Sequence, residues 1–189
     1  GFAAFDAKIG LRPDGRNVFC HFRTKNWEEK SWEIGRALDL AHLIHEHYDC
    51  NIYFTGSALD WSGESPNMIN LSGKTTWLET THLLRMSSHR IVIDSAPMHL
   101  ARALGLPYTC LWGFSHPWKI LGEAPGPMDI VDTEESGTTD IKAISPLRVF
   151  ERAFPEFRQT RPLNLNTGID YSQHGEQGII FKFFQDRPP

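Results

Sequence analysis

Residues 94–107 read DSAPMHLARALGLP, preceded by the apolar run Ile91-Val92-Ile93 and followed by YTCLWG at 108–113. Two strand-like runs flank one short helix that opens on an acid, a hydroxyl and a proline. Ser95 suits the position before a helix, where a side-chain oxygen accepts from the first free N–H groups. Pro97 suits the first turn, where its missing N–H costs nothing. The stretch is either a structural crossover between strands or a helix end aimed at a ligand, and the rest of the chain has to decide which.

Working outward, the same unit recurs. Residues 17–22, NVFCHF, form an apolar strand candidate, and SWEIGRALDLAHLIHEHY at 31–48 follows a polar loop. There Ile34, Ala37, Leu38, Ala41 and Ile44 recur at helical spacing, with Ser31 as candidate N-cap. NIYFT at residues 51–55 reads as a second strand ended by Gly56, with a short candidate around MINL at 68–71. Thr76-Trp77-Leu78-Glu79 matches a capping box and opens a helix to about Met86. His89 to Ile93 is the third clear strand, and 108–112 the fourth. Strands alternating with helices predict an α/β fold with a mostly parallel sheet and helices on both faces. Beyond Gly113 the pattern weakens into a loop rich in Gly, Pro and acid; a helix is expected over 146–154. GIIFKFF at 178–184 reads as an edge strand or as a segment that docks elsewhere. The chain divides into a lead-in segment (1–16), the α/β domain (17–155) and a C-terminal extension (156–189).

The 189 residues, 40% apolar and 22% charged, suffice for one domain with a full core. A formal net charge of −4 provides no global basic field, so nucleic acid is not an expected partner and any anion needs a local device. No apolar run approaches the ~18 residues that cross a bilayer, and the N-terminus lacks the pattern of a signal peptide. Cys20, Cys50 and Cys110, each in or beside a strand candidate, read as free core thiols of a reducing compartment, hence a cytoplasmic protein. The opening residue is Gly1, not Met, so the N-terminus is expected to be either a boundary within a longer protein or a processing site.

In an open parallel sheet, ligands bind beyond the carboxyl ends of the strands. The turns there carry Arg23, Thr24 and Lys25 after the first strand, Gly56, Ser57 and Asp60 after the second, and Asp94 and Ser95 after the third. A helix N-terminus with about half a unit of positive charge suits a phosphate, Lys25 adds a full charge, and Asp94 or Asp60 accepts from sugar hydroxyls. A nucleotide diphosphate sugar has both groups. Each residue also has an ordinary reading: Asp or Ser before a helix is commonly only a cap, and a loop lysine is commonly solvated. His42 and His45 lie three apart on a helix without a third metal ligand, and His99 and His116 are acid or base candidates. Gly73-Lys74-Thr75 lacks the upstream glycine of a P-loop. No Asp-x-Asp, G-x-S-x-G, Cys-x-x-Cys or G-x-G-x-x-G occurs, so no metal site and no cofactor is expected.

The ordered set HFRTKNWEEKSW, YFTG, INLSGKTTWLE and IVIDSAPMHLARALGLPYTCLWGFSHP, over roughly residues 17–117, resembles the C-terminal, donor-binding domain of glycosyltransferase family 9, the heptosyltransferases. The resemblance implies one Rossmann-like half of a glycosyltransferase B architecture. It implies that Lys25, in a K-x-W pattern with a second tryptophan at Trp32, contacts the diphosphate of an ADP-heptose-like donor. Asp94 would lie at the transferred sugar, Ser95 and the Ala96 backbone at the phosphates, Asp60 at the ribose and Thr75 near the base. His99, in the same block as Asp94, joins the substrate-binding set. Lys25 and Asp94 would give donor-side support to an inverting displacement. The family's N-terminal domain, with the acceptor site and general base, is not in this chain, so the chain is not expected to catalyse transfer alone; the partner would be an acceptor domain in cis or trans. Ala96 replaces the family glycine, and a shorter loop from His21 to Lys25 offsets the lysine. The rival readings are a nucleotide-sugar binding or regulatory module without transfer activity, and a structural interaction domain.

Overall fold

A computed structural model describes residues 1–57, 65–122, 128–133 and 138–160. Its centre is a sheet of six strands, β1 Asn17–His21, β2 Asn51–Thr55, β3 Met68–Asn70, β4 His89–Ile93, β5 Tyr108–Leu111 and β6 Met128–Val131. The strands lie in the order β3-β2-β1-β4-β5-β6, and every neighbouring pair is parallel. This is the order of dinucleotide-binding folds, so the expected α/β, Rossmann-like sheet is present and is parallel throughout its described strands.

Such a sheet must be covered on both sides, because strands buried on both faces carry apolar side chains at every position. β1 shows this: Val18 and Cys20 join one core while Phe19 joins the other. On the first face lie α2 (Ile34–His47) and α6 (Pro146–Ala153), whose Leu40, Ile44, Val149 and Phe150 pack over Ile52, Ile91 and Ile93. On the second lie α3 (Trp77–Met86) and α4 (Ala96–Ala103), whose Leu83, Leu84, Met98 and Ala101 cover Phe19, Tyr53 and Val92. Burying a Leu, Ile or Phe of this kind is worth about 1.5–3 kcal/mol each, which explains why these helices stay docked.

Local signals hold where side chains close them. The Thr76 hydroxyl accepts from the Glu79 amide, and the Glu79 carboxylate accepts from the Thr76 amide at 2.8 Å, completing the capping box of α3. Ser145 accepts from the Arg148 amide and Pro146 occupies the first position of α6. Three elements were not expected. The lead-in carries a helix, α1 (Ala3–Ile9), ended by Gly10 in the left-handed region at φ 63° and tied to α3 by a His82–Asp6 contact of 2.7 Å. The acidic, Gly/Pro-rich loop contains β6, which exists because β5 offers it a ladder from Tyr108↔Met128 to Leu111↔Val131. The third, a short helix α5 (Pro117–Leu121), precedes it. The expected segment at 178–184 lies outside the described residues.

Gly56 fixes how the turns after β1 and β2 meet. Its φ is +122°, and a Cβ there would stand 2.7 Å from the Arg23 carbonyl oxygen and 3.3 Å from the His21 ring. At Gly105 the φ is +66° but the surrounding space is open. Gly56→Ala is therefore expected to cost about 2–3 kcal/mol, strain plus collision, and Gly105→Ala about 1 kcal/mol from strain alone. Urea midpoints at pH 7 read the difference.

Candidate functional site

β1 is the point from which the sheet grows in both directions, toward β2 and β3 on one side and β4 and β5 on the other. Crevices of open α/β sheets form at such a switch point, beyond the carboxyl ends of the strands. Two chain segments meet there, the loop after β1 and the turn after β4.

The loop from Phe22 to Glu33 is folded back on itself. Its base is closed by Trp32, whose amide donates to the Phe22 carbonyl at 2.8 Å and whose indole N–H donates to the Ile144 carbonyl at 3.2 Å. Trp32 is 1% exposed and meets Phe22 edge to face. Inside the loop the Trp27 carbonyl accepts from the Thr24 hydroxyl at 2.8 Å, the Lys30 amide at 3.1 Å and the Ser31 hydroxyl at 3.4 Å. Ser31 also accepts from the Thr24 amide, so it braces this loop; the N-cap position of α2 belongs to Glu33, which makes no capping bond. A single-turn 3-10 helix at Glu28–Lys30 results, and it aims Lys30 inward.

Lys30 Nζ meets Asp94 Oδ2 at 2.5 Å, with side-chain exposures of 15% and 6%. The ammonium also stands 4.5 Å from the centroid of the Trp27 ring and 5.9 Å from that of Phe114. The pair borders a narrow cleft with Glu29, Gly113 and Ser115. Asp94 is placed by the β1–β4 register, since His21 pairs with Val92 and Asp94 follows two residues on.

Ser95 occupies the N-cap position of α4, yet its hydroxyl donates back to the Ile93 carbonyl at 3.1 Å and makes no capping bond. The expected side-chain cap is thus not formed; in the first turn Pro97 has no N–H and the Met98 and His99 amides donate to the Ser95 carbonyl at 3.0 and 3.4 Å, which leaves the Ala96 amide for another acceptor. Ala96 begins the helix with ordinary backbone geometry; no described non-glycine residue has positive φ, so glycine's freedom is not needed at this position.

The structure brings Asp94, Ser95 and Ala96 together with Lys30, not with Lys25. Lys25 is exposed and makes no ion pair among the described residues. The sequence offered both lysines alike: K-x-W occurs twice, as Lys25-Asn26-Trp27 and Lys30-Ser31-Trp32. Thr75 lies after β3, its hydroxyl 3.0 Å from that of Thr80, at the far end of the same sheet edge. His99 is exposed on α4. Asp60 lies outside the described residues. His45 contacts the Cys50 carbonyl at 3.2 Å, and no group of three metal-ligating side chains occurs among the described residues. The three cysteines are buried and unpaired, and burial pushes the Cys50 thiol up to about 12.

His21, the last residue of β1, is a functional candidate that sequence reasoning passed over. The Thr55 hydroxyl gives its one proton to the Cys20 carbonyl at 3.1 Å, so the contact from His21 Nδ1 to Thr55 Oγ1 at 3.2 Å requires the proton on Nδ1. Nε2 is left as an acceptor. Burial pushes the imidazole down to about 4, which keeps it neutral at pH 7.

A profile of glycosyltransferase family 9 (heptosyltransferase) matches residues 4–131. No curated protein sequence matches the chain. Among solved structures, it is similar to a family 9 glycosyltransferase from Veillonella parvula, with TM-score 0.65 and 20% identity over 81% of this chain and 49% of that one. It is also similar to the E. coli heptosyltransferase WaaC with ADP, with TM-score 0.60 and 17% identity over 79% of this chain and 46% of that one. A second structure of WaaC, with ADP-2-deoxy-2-fluoro heptose, gives TM-score 0.56 and 17% identity over 78% and 45%. At these identities the likeness is one of fold. The chain spans about half the length of the solved proteins it matches.

The His21 environment has a pH signature. Below the ordinary value of 6.5 the unfolded chain takes up a proton that the folded site refuses until about pH 4. The unfolded state therefore binds more protons in that window, and stability falls as pH drops from 6.5 toward 4, by about 3 kcal/mol for this group. Burial lowers His89 and His45 in the same direction. Urea unfolding at pH 7, 6 and 5 is expected to show the decline, and His21→Gln to remove one proton's share of its slope.

Proposed function

Since the chain belongs to glycosyltransferase family 9 (heptosyltransferase), we propose that it forms the donor side of a glycosyl transfer site. The crevice between the carboxyl ends of β1 and β4 takes a nucleotide diphosphate sugar, an ADP-heptose-like donor, and a separate acceptor domain completes the site. The observation that carries this reading is the Lys30–Asp94 pair, nearly buried at the switch point of the sheet beside the uncapped start of α4. WaaC, solved with ADP and with an ADP-heptose analogue, has the same fold over about half its length, which supports an adenine nucleotide as the first donor to try.

The chemistry follows from charge. In an inverting displacement the acceptor oxygen bonds the anomeric carbon as the bond from that carbon to the diphosphate oxygen breaks. The electron pair leaves with the diphosphate, and the acceptor's proton passes to a base on the acceptor side. The developing negative charge needs donors placed in advance. Lys30 provides a full positive charge, and an ammonium has three protons, so Asp94 can hold it in place with one while others reach phosphate oxygens. The Ala96 amide at the start of α4 adds one N–H group, and the helix adds its dipole. Asp94, which as a carboxylate can only accept, also accepts hydrogen bonds from hydroxyls of the sugar. The three unpaired buried cysteines accord with a reducing, cytoplasmic setting.

Isothermal titration of the chain with ADP, UDP and GDP tests this. One nucleoside diphosphate is expected to bind, and Lys30→Ala to weaken it about tenfold to a hundredfold, the range of a lost charge-assisted bond. Lys25→Ala is expected to change affinity less than about twofold, as for a solvated surface charge. Absence of binding at millimolar nucleotide, or equal losses for the two lysines, overturns the assignment.

A further inference from the structure

Two aromatic rings stand over the Lys30–Asp94 pair without belonging to either core. Trp27 is 52% exposed and Phe114 45%, and their centroids are 6.0 Å apart at a tilt of 37°. Single exposed apolar residues need no explanation. Here, however, two rings from different loops converge on one nearly buried ion pair. Each also rides on a fixed backbone. The Trp27 carbonyl accepts three hydrogen bonds within its own loop. Next to Phe114, Gly113 is packed so closely that a Cβ would stand 2.9 Å from the Ile141 side chain and 3.0 Å from the Thr139 carbonyl oxygen. Rings held in place but left out of the core are arranged for a ligand, since little ordering remains to oppose binding.

We infer that Trp27 and Phe114 seat the transferred sugar ring of the donor, with Asp94 taking its hydroxyls. The inference rests on the reading of this crevice as a donor site and assigns one end of it. Along the carboxyl edge of the sheet, the turn after β3 lies at one side of the β1–β4 crevice and the turn after β5, with Phe114, at the other. A donor whose diphosphate is held by Lys30 and the start of α4 then runs toward one of these ends with its nucleoside and toward the other with its sugar. The β5 end combines two aromatic faces with a carboxylate. An aromatic face carries negative charge density and attracts the weakly positive C–H groups of a saturated ring, while the carboxylate accepts from adjacent hydroxyls. That combination suits a pyranose.

Titration of the 189-residue chain with ADP and with ADP-2-deoxy-2-fluoro heptose separates the sugar from the nucleotide. The unsubstituted protein is expected to bind the conjugate more tightly than ADP. Trp27→Ala and Phe114→Ala are each expected to weaken the conjugate about fivefold to tenfold more than ADP, the scale of one aromatic contact. Trp27→Phe should restore most of the difference, and Trp118→Ala, an exposed indole on α5, should leave both affinities as they were. Near-ultraviolet circular dichroism checks that each variant is folded. If the variants keep the full preference for the conjugate, or lose ADP and conjugate equally, the rings do not seat the sugar and the inference falls while the donor site stands. If the unsubstituted protein binds neither of these ligands nor UDP or GDP, the donor-site reading fails and this assignment with it.

Discussion

The pairing of β1 with β4 is the constraint on which the rest depends. The chain leaves β1, builds β2 and β3 on one side, then returns to lay Val18 against His89 and His21 against Val92 on the other. Because both strands are parallel, both connections leave from the same edge. The helix after β1 packs on one face of the sheet and the helix after β4 on the opposite face. The two loops diverge as they depart, and the crevice between them follows from that divergence. Lys30 and Asp94, 64 residues apart in the chain, are neighbours only because of this pairing.

Charges are arranged differently at the two ends of the sheet. Around the start of β1, Arg12 and Arg16 share Asp14 and Asp49 in a network that water largely surrounds. Exposed pairs of that kind contribute little and are screened by salt. At the carboxyl end the Lys30–Asp94 pair is nearly buried, where desolvation offsets much of the attraction between the partners. Such a pair is a weak source of stability but a definite source of position. With Trp27 and Phe114 over the ammonium and the start of α4 beside the carboxylate, it holds donors and acceptors in fixed places at a switch point. The proposed transfer chemistry needs that arrangement more than it needs any single residue.

Elements whose signals are local were legible in advance. The capping box at Thr76 and Glu79 closes as written, because both partners lie within one turn. The helix over 146–154 is present as α6, since Ser145 and Pro146 specify its start without help from elsewhere. Failures occurred where a side chain had two outlets. Ser31 and Ser95 both have the chemistry of caps, yet one braces the loop against Thr24 and the other bonds back to Ile93. β6 was hidden because four residues amid glycine, proline and acid become a strand only when β5 supplies the ladder. The short helix α1 was hidden because its docking depends on Ile9 in the core and on the distant His82.

The site divides along the same line. By itself, the sequence determined the alternation of strands and helices, the edge of the sheet where chemistry would gather, Asp94 and Ser95 as members of that edge, and resemblance to family 9. Those properties are encoded by periodicity and by residues adjacent in the chain. Only the tertiary structure decided which lysine meets Asp94. Lys25 and Lys30 carry the same charge on the same loop, each two residues before a tryptophan. The choice fell to Lys30 because Trp32 is drawn into the core between Phe22 and Ile144, and closing the loop there turns Lys30 inward and leaves Lys25 in water.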